Sequence, residues 1–447
     1  MSPAPDTSVV PAVSAVPDAA AGRRARRPPR HAQIIIAGLF AVSLMKGLRM
    51  PNLWSATHMT FNYTQGFIRR GLFGQLLRLA GGPRAYRYNV LALLAVILFA
   101  LAVAAMIRLV RRMLATDGGD VGQVAMILVF AASPGIVFLA HEIGYLDYVG
   151  LIVVPLFIVW AARARSLWLI FYVAIAISVV LALIHESMII MFAPTMWFVL
   201  VAHVITQTHA RALSRRTVGL LVAHAVAAAA AALIASSAIG TLGTKSPERI
   251  HLLQASIQRF ANFPLRGDGF EALYRPVRDN LMILMPSHWR HPVNQRYLVT
   301  GLVVAFPGLA VLGTYALRLI VRLALPRLVR ALLAALFLAA ALCPLALNLV
   351  GWDSARWNAI CFAASFNCIA TLRLLFCAPG SAVEARRPRV DDPLMLVLAA
   401  AAIVFGLTSN YYGFLFDGYV VQWFPFDGQV RSLLELFQGH FTFRPSY

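Results

Sequence analysis

The sequence predicts an all-α fold, a polytopic transmembrane helical bundle of about 11 spans, on three observations. Of the 447 residues, 60% are hydrophobic and 13% are charged, whereas soluble domains average roughly 45–50% apolar and about 25% charged residues. The mean hydropathy is +0.74. Apolar windows of about 18–23 residues recur along the chain, each long enough to cross a roughly 30 Å hydrocarbon core. No soluble core buries this much apolar surface, so a soluble globular protein is excluded.

The chain begins with a basic segment that is not a span. Residues 1–31 are rich in Ala, Pro, Ser and Val and end in an arginine cluster, which predicts a disordered tail. No small-residue cleavage site follows the first apolar stretch, so we interpret that stretch as an uncleaved first span. The predicted spans, in chain order, are approximately 32–50, 88–107, 122–140, 146–162, 167–185, 187–206, 217–240, 297–317, 329–350, 357–376 and 393–413. The bundle therefore covers 32–413, with external loops at 51–87 and 241–296, and 414–447 form an external aromatic-rich tail.

The distribution of arginine predicts the orientation. The formal charge is +21, and most arginines lie in connections on one side of the spans, while the short opposite connections near 141–146 and 185–187 carry none. The positive-inside rule places the arginine-rich side in the cytoplasm. We expect a multi-pass protein of the bacterial inner (cytoplasmic) membrane, with a cytoplasmic N-terminus and an extracytoplasmic C-terminus. Because membrane sidedness explains the basic residues, we do not expect nucleic acid as a partner.

The first external loop contains no Asp or Glu. Apolar residues recur at helical spacing through 68–79, which predicts an amphipathic helix in the membrane interface. The loop also carries five arginines, Arg69, Arg70, Arg78, Arg84 and Arg87. Gly74 lies between Arg70 and Arg78 and leaves room for a phosphate-bearing headgroup, since guanidinium pairs bidentately with phosphate. The alternative is that this arginine pair binds ordinary anionic lipid.

Acids and histidines cluster where spans end on the predicted external side. The third span ends in His141 and Glu142, the fourth begins at Asp147, and the fifth ends in His185 and Glu186. Ionisable groups at this depth are costly and usually functional, although capping of helix ends or pairing with loop arginines is the alternative. Neither histidine–glutamate pair completes an H-E-x-x-H motif, which argues against a zinc metalloprotease.

A further pair lies between the ninth and tenth spans. Asp353 and Arg356 are three residues apart, so they either bond each other across one helical turn or join the same external face. Four separated segments thus supply one predicted polar cluster. Its candidate residues are His58, Tyr63, Arg69, Arg70, Arg78, His141, Glu142, Asp147, His185, Glu186, Asp353 and Arg356.

A polar cluster above an apolar bundle suits a reaction on a lipid-linked substrate. A carboxylate deprotonates an acceptor hydroxyl, and arginines or a divalent metal stabilise the departing phosphate. We predict that the base is Asp147, Glu142 or Glu186, and that Glu142 and Asp147 are the ligands of Mg²⁺ or Mn²⁺ if a metal is bound. His58 would orient or protonate a reacting group. The residues predicted to bind the donor phosphate are Arg69, Arg70, Arg78 and Arg356.

The layout resembles the GT-C superfamily of membrane glycosyltransferases, which combine many spans, an amphipathic first external loop and a long external loop between the seventh and eighth spans. The similarity covers most of the chain and is architectural. It implies transfer of a sugar from a polyprenyl-phosphate-linked donor to a cell-envelope glycan or lipid on the extracytoplasmic face. Many members place a catalytic acid in the first external loop, which has none here. The resemblance therefore implies a base among Glu142, Asp147 and Glu186.

Three other functions stay open. An O-antigen polymerase or ligase type of enzyme resembles this chain in using arginine and histidine without a metal. A flippase or transporter of lipid-linked sugars would show internal repeats and broken helices at mid-membrane, and the sequence shows no clear repeat. A structural assembly subunit with an inert site is the third.

Overall fold

The computed structural model describes residues 30–48, 50–117, 121–209, 219, 246–275, 277–351, 353–377 and 393–408. In these residues the chain is a helical bundle without a β-strand, which confirms the predicted fold class. Most of the basic tail and of the predicted seventh span, and the whole aromatic tail, lie outside the described residues.

The helix bounds follow the predicted spans closely. In chain order the α-helices are α1 (Arg30–Gly47), α2 (Leu53–His58), α3 (Leu72–Gly81), α4 (Tyr88–Asp117), α5 (Val121–Ala131), α6 (Pro134–His141), α7 (Asp147–Ala161), α8 (Leu167–Ile184), α9 (Ser187–His209), α10 (Pro247–Gln258), α11 (Gly267–Tyr274), α12 (Val277–Asp279), α13 (Met285–Arg290), α14 (Pro292–Val321), α15 (Arg327–Leu342), α16 (Ser354–Phe376) and α17 (Pro393–Thr408). Shorter turns complete them: 3₁₀ at Gly82–Tyr86 and Cys343–Leu349, and π at Asn280–Leu284.

Seven helical segments among the described residues are long and apolar enough to cross a membrane. They are Tyr88–Ala115, Val121–His141, Leu167–Ile184, Ser187–Gln207, Pro292–Val321, Arg327–Leu349 and Ser354–Phe376. Two further apolar helices, α7 and α17, are shorter. The third predicted span is interrupted between α5 and α6, because Pro134 has no N–H to continue the α5 hydrogen-bond ladder.

Helix α16 is the centre of the bundle. Within its membrane-crossing segment 89% of residues are buried, against 33% for α4, which leaves much of its surface to lipid. It packs against α4, α6, α7, α9, α14 and α15. Its alanines admit close neighbours, and Phe366 stacks on Phe130 of α5 with ring centroids 4.0 Å apart. The N-terminal end of α16 carries Arg356, which is 6% exposed.

The two predicted loops cover that end of the bundle, which we call the loop-bearing end. Helix α2 packs on the turn before α7, where Gly144 has φ +100° and a side chain there would meet Ser55 at 2.7 Å. The Arg266 N–H in turn bonds Thr57 Oγ1 at 3.1 Å, so the segment leading into α11 lies on α2. Tertiary contacts thus bring residues separated by about 200 positions to one surface.

Helix α3 has the amphipathic character that the sequence predicts, with Leu76 and Leu79 exposed. Gly74 serves a different purpose from the one we inferred. A Cβ at this position would lie 2.2 Å from the Phe61 carbonyl oxygen, so Gly74 lets α3 approach the preceding backbone and leaves no room for a headgroup there. Arg70 also precedes the helix, and only Arg78 lies on it.

Candidate functional site

An ion pair between Arg70 and Glu186 joins the first loop to the α8–α9 turn. Arg70 Nε lies 3.1 and 3.0 Å from the two carboxylate oxygens, and Nη2 lies 2.5 Å from Oε1. Arg70 has φ +63° and, among the described residues, is the one non-glycine residue with positive φ. Such a conformation costs about 1–3 kcal/mol and concentrates at functional sites. The fold therefore holds this guanidinium in place at a cost.

His185 is next to this pair and has a defined tautomer. Its Nδ1 lies 3.2 Å from the Ser187 backbone N–H and 2.7 Å from the Ser187 hydroxyl. A backbone N–H only donates, so Nδ1 accepts and the neutral ring carries its proton on Nε2. Burial, followed by the charge of Arg70, lowers the pKa of His185 well below its ordinary value. Ser187 thus makes His185 a neutral donor.

His58 completes the group at the end of α2. Its ring lies 4.7 Å from Trp54, 5.0 Å from Phe61 and 6.3 Å from His185, measured between centroids. Its buried Nε2 has no hydrogen-bond partner among the described residues. Burial and then the charge of Arg70 lower the pKa of His58 well below its ordinary value. The ring is therefore neutral at physiological pH, with one nitrogen left for a ligand.

A second ion pair joins α7 to α16. Arg356 donates from Nε and Nη2 to both oxygens of Asp147, at 2.5 and 2.7 Å, and from Nη1 to Asp353 at 3.2 Å. The guanidinium also lies 4.8 Å from the ring centroids of Tyr145 and Trp357. The contact between Asp353 and Arg356 expected from their spacing exists, but Asp147 is the closer partner. Burial raises the pKa of Asp353.

Arg69 has a structural role. Its Nε and Nη2 donate to the carbonyl oxygens of Ala272, Leu273 and Arg275 at 2.8–3.1 Å, which ties the end of α11 to the first loop. These bonds satisfy carbonyls that a helix C-terminus leaves without partners.

The charges of the site nearly balance. Arg70 and Arg356 face three carboxylates, those of Glu186, Asp147 and Asp353. Burial alone would raise the pKa of Glu186, but the charge of Arg70 offsets this and holds the pKa well below its ordinary value. The Arg70–Glu186 pair is also the more accessible one, with side chains 15% and 24% exposed against 7% and 6% for Arg356 and Asp147. An anionic ligand would therefore bind by exchanging with Glu186.

The other predicted residues lie at the edge of this group or away from it. His141 and Glu142 are buried at the end of α6, close to where α1 packs. Tyr63 stacks on Phe67 with centroids 5.3 Å apart, and Arg78 is exposed on α3. The structure thus brings together His58, Arg70, His185, Glu186, Asp147, Asp353 and Arg356.

The described residues do not fit the divalent metal that the sequence left open. They contain no group of three His, Cys, Asp or Glu side chains arranged to hold an ion. Both oxygens of Asp147 are hydrogen-bonded to Arg356, so this carboxylate would have to leave a buried ion pair to become a ligand.

Sequence reasoning missed three contributors. Ser187 fixes the tautomer of His185, and its position two residues later was the available signal, because short side chains commonly bond there. Trp54 packs on His58, with ring centroids 4.7 Å apart, and the Arg266 guanidinium lies over its ring. Gly269 of α11 faces His58, where an added Cβ would lie 3.6 Å from Nε2, and only the fold reveals that contact.

The bundle and its apolar helices define a multi-pass membrane protein. A model of the family described as "Uncharacterised membrane protein Rv1490" matches residues 31–252, just under half of the chain, and over that part the chain is similar to this family. The matched part contains both histidines and the Arg70–Glu186 pair, whereas Arg356 lies beyond it. No curated protein and no solved structure matches the chain.

Proposed function

We propose that the protein is a membrane glycosyltransferase that moves a sugar from a polyprenyl-phosphate-linked donor to a cell-envelope glycan or lipid on the extracytoplasmic face. The observation that carries the proposal is the Arg70–Glu186 pair beside two buried neutral histidines at one end of an apolar bundle. An amphiphilic donor needs a binding site of this kind, because its phosphate requires a positively charged partner and its hydrocarbon chain requires apolar surroundings. The architectural resemblance to GT-C enzymes supports the same substrate class.

Arg70 is the proposed phosphate-binding residue. Its guanidinium already binds one oxyanion in a forked geometry, and a phosphate oxygen pair has the same requirement. The donor phosphate replaces the Glu186 carboxylate, so the half-buried guanidinium of Arg70 always has an anionic partner. Arg356, whose charge also acts on His58, contributes positive potential from the second side and is positioned by Asp147.

His58 is the proposed base, a role that the sequence gave to the acids. The charge of Arg70 lowers the pKa of Glu186, which weakens this carboxylate as a base. Both oxygens of Asp147 already accept hydrogen bonds from Arg356. The donor's negative charge opposes the arginine charges that suppress protonation of His58. The acceptor oxygen then attacks the anomeric carbon, its proton passes to His58 Nε2, and the bond from that carbon to the phosphate oxygen breaks. Lipid phosphate departs with the electron pair.

The test uses the full-length protein in nanodiscs, radiolabelled polyprenyl-phosphate sugar and a panel of acceptors. We expect labelled product, a loss of roughly 10²–10⁴-fold in kcat for His58→Gln, as for removal of a general base, and a loss of about 10–100-fold in kcat/KM for Arg70→Ala, as for a charge-assisted hydrogen bond. Arg78→Ala is the matched control, because it removes an exposed arginine from the same loop.

Three results would contradict the proposal. Unchanged turnover in His58→Gln would reject the base. Loss of turnover with EDTA, restored by Mg²⁺ or Mn²⁺, would reject the metal-independent mechanism. No product with any acceptor, together with movement of the lipid-linked sugar across proteoliposomes, would identify a flippase instead.

A further inference from the structure

Helix α4 continues beyond the hydrocarbon core at the end of the bundle opposite to the loop-bearing end. Its 30 residues extend about 45 Å at roughly 1.5 Å per residue, whereas the core is about 30 Å thick. The last turns carry Arg108, Arg111 and Arg112, and all three side chains are exposed. Leu109 and Met113, on another face of the same turns, are fully buried. The arginines therefore lie on the outer face of a helix end that still packs on the bundle.

The turn after α7 brings a fourth exposed arginine to the same depth. Helices α4 and α7 both start at the loop-bearing end and pack against each other, and the rings of Phe99 and Tyr148 meet edge to face with centroids 5.8 Å apart. Thirteen positions after these two residues come Arg112 and Ala161. Because both helices rise by the same distance per residue, the exposed Arg163 lies at the depth of the arginines of α4.

These four arginines have no anionic partner within the described part of the chain. No ion pair there includes any of them, whereas Arg70 and Arg356 each bind a carboxylate. Arg108 and Arg112 are one helical turn apart, and like charges at this spacing repel each other. The positive-inside rule depends on how many arginines a connection carries and does not require them to share one helix face. A bound anion would relieve the repulsion.

Apolar surface lies on the membrane side of this arginine cluster. Ile107 of α4 and Leu156 of α7 are each 40% exposed. The register set by Phe99 and Tyr148 puts these two side chains at the same depth. Ile107 is also four residues before Arg111, and residues at this spacing share one face of a helix. An amphiphile bound here would therefore place its charged group among the arginines and its chains against apolar side chains.

We infer that the end of α4 and the turn after α7 form a binding site for a phospholipid with two phosphate groups, of the cardiolipin type, in the leaflet opposite to the loop-bearing end. The arginines of α4 bind one phosphate and Arg163 binds the other, because guanidinium pairs with phosphate through two parallel hydrogen bonds. Basic groups between neighbouring transmembrane helices suit such headgroups. A lipid with one phosphate would neutralise only part of the cluster. The site uses none of the residues of the proposed glycosyltransferase and does not depend on that proposal.

The test is photocrosslinking of the full-length protein in nanodiscs that contain a photoactivatable cardiolipin. We expect cross-links on peptides that cover 101–117 and 154–167, and competition about tenfold stronger by unlabelled cardiolipin than by phosphatidylglycerol at equal phosphate concentration. Equal competition per phosphate would indicate diffuse attraction of any anionic lipid and overturn the proposal. Cross-links concentrated on the ends of α14 and α15 would assign the lipid to another face and overturn it as well.

Two triple variants separate this site from the overall charge of the protein. Each replaces three exposed arginines by glutamine, the first at the end of α4 and the second in the first loop. They are Arg108→Gln/Arg111→Gln/Arg112→Gln and Arg78→Gln/Arg84→Gln/Arg87→Gln. We expect cross-linking to fall about tenfold in the first variant and to stay within about twofold in the second. Equal losses in the two variants would show that net charge attracts the lipid and would reject the site.

A lysine version of the first variant keeps the positive charge that sets membrane topology but lacks the forked guanidinium. We expect Arg108→Lys/Arg111→Lys/Arg112→Lys to insert normally and to be cross-linked about threefold less than the wild type, because an ammonium group binds phosphate only as a point charge. Unchanged cross-linking in this variant would reject the paired hydrogen bonds between guanidinium and phosphate.

Discussion

The buried pair between Arg356 and Asp147 gives the sharpest quantitative prediction. Both side chains are about 7% exposed or less, and two hydrogen bonds join them. Removing one partner of a buried pair costs about 3–5 kcal/mol, because the other charge is left without compensation. Asp353 still contacts Arg356 at 3.2 Å, so we expect Asp147→Asn to cost about 3 kcal/mol, the lower end of that range.

A double-mutant cycle measures this coupling. Arg356→Gln added to Asp147→Asn removes the uncompensated guanidinium, so we expect the double variant to be less destabilised than the sum of the single variants by about 2 kcal/mol. The assay is unfolding in detergent, followed by the loss of monomer in size-exclusion chromatography.

A surface pair in the same chain supplies the control. Arg266 and Asp268 share two hydrogen bonds with similar geometry, but their side chains are 38% and 46% exposed. We expect Asp268→Asn to cost at most about 1 kcal/mol. Additive single variants at Asp147 and Arg356, or an equal cost at Asp268, would refute the reasoning that burial makes this pair strong.

Three further predictions concern the loops and the histidines. Gly144→Ala should lower the free energy of unfolding by at least about 2 kcal/mol, because positive φ and a contact with Ser55 oppose the new side chain. Gly267→Ala, with open space around it and no positive φ, should change the free energy of unfolding by at most about 0.5 kcal/mol, and equal melting temperatures for the two variants would contradict this. The free energy of unfolding should fall as the pH drops below about 6.5, the ordinary histidine pKa, because the histidines of the unfolded chain bind protons that buried His58 and His185 do not. A melting temperature that stays constant between pH 5 and 7.5 would contradict this prediction. Arg69→Ala should release the end of α11 and speed limited proteolysis within 247–290, and unchanged cleavage would show that the segment is held otherwise.

Much of the fold followed from the sequence because lipid imposes a length and a polarity on every span. The windows at 167–185 and 357–376 match α8 and α16 within a few residues. Which helices are buried inside the bundle could not be predicted from the sequence in this way. Helices α16 and α4 are both apolar, yet one is central and the other is largely open to lipid, because side-chain packing decides which apolar surface meets protein.

The composition of the site was also partly predictable, but its pairings were not. Charges at span ends identified Arg70, Glu186 and Asp147 as candidates, since ionisable groups at that depth need partners. Which arginine meets which carboxylate depends on contacts across 116 and 209 residues. Packing of α11 against the first loop likewise decides that Arg69 donates to backbone carbonyl oxygens.

The sequence by itself determined that the protein is a helical membrane bundle with polar groups at its ends, because hydrophobic windows and charges act locally along the chain. Only the tertiary structure decided that Asp147 and Glu186 are bonded to arginines, and that a buried nitrogen of His58 has no hydrogen-bond partner within the described part of the chain. These features arise from the packing of helices that are distant in sequence. Packing depends on the shapes of the helix surfaces, which cannot be read from the spacing of residues along the chain.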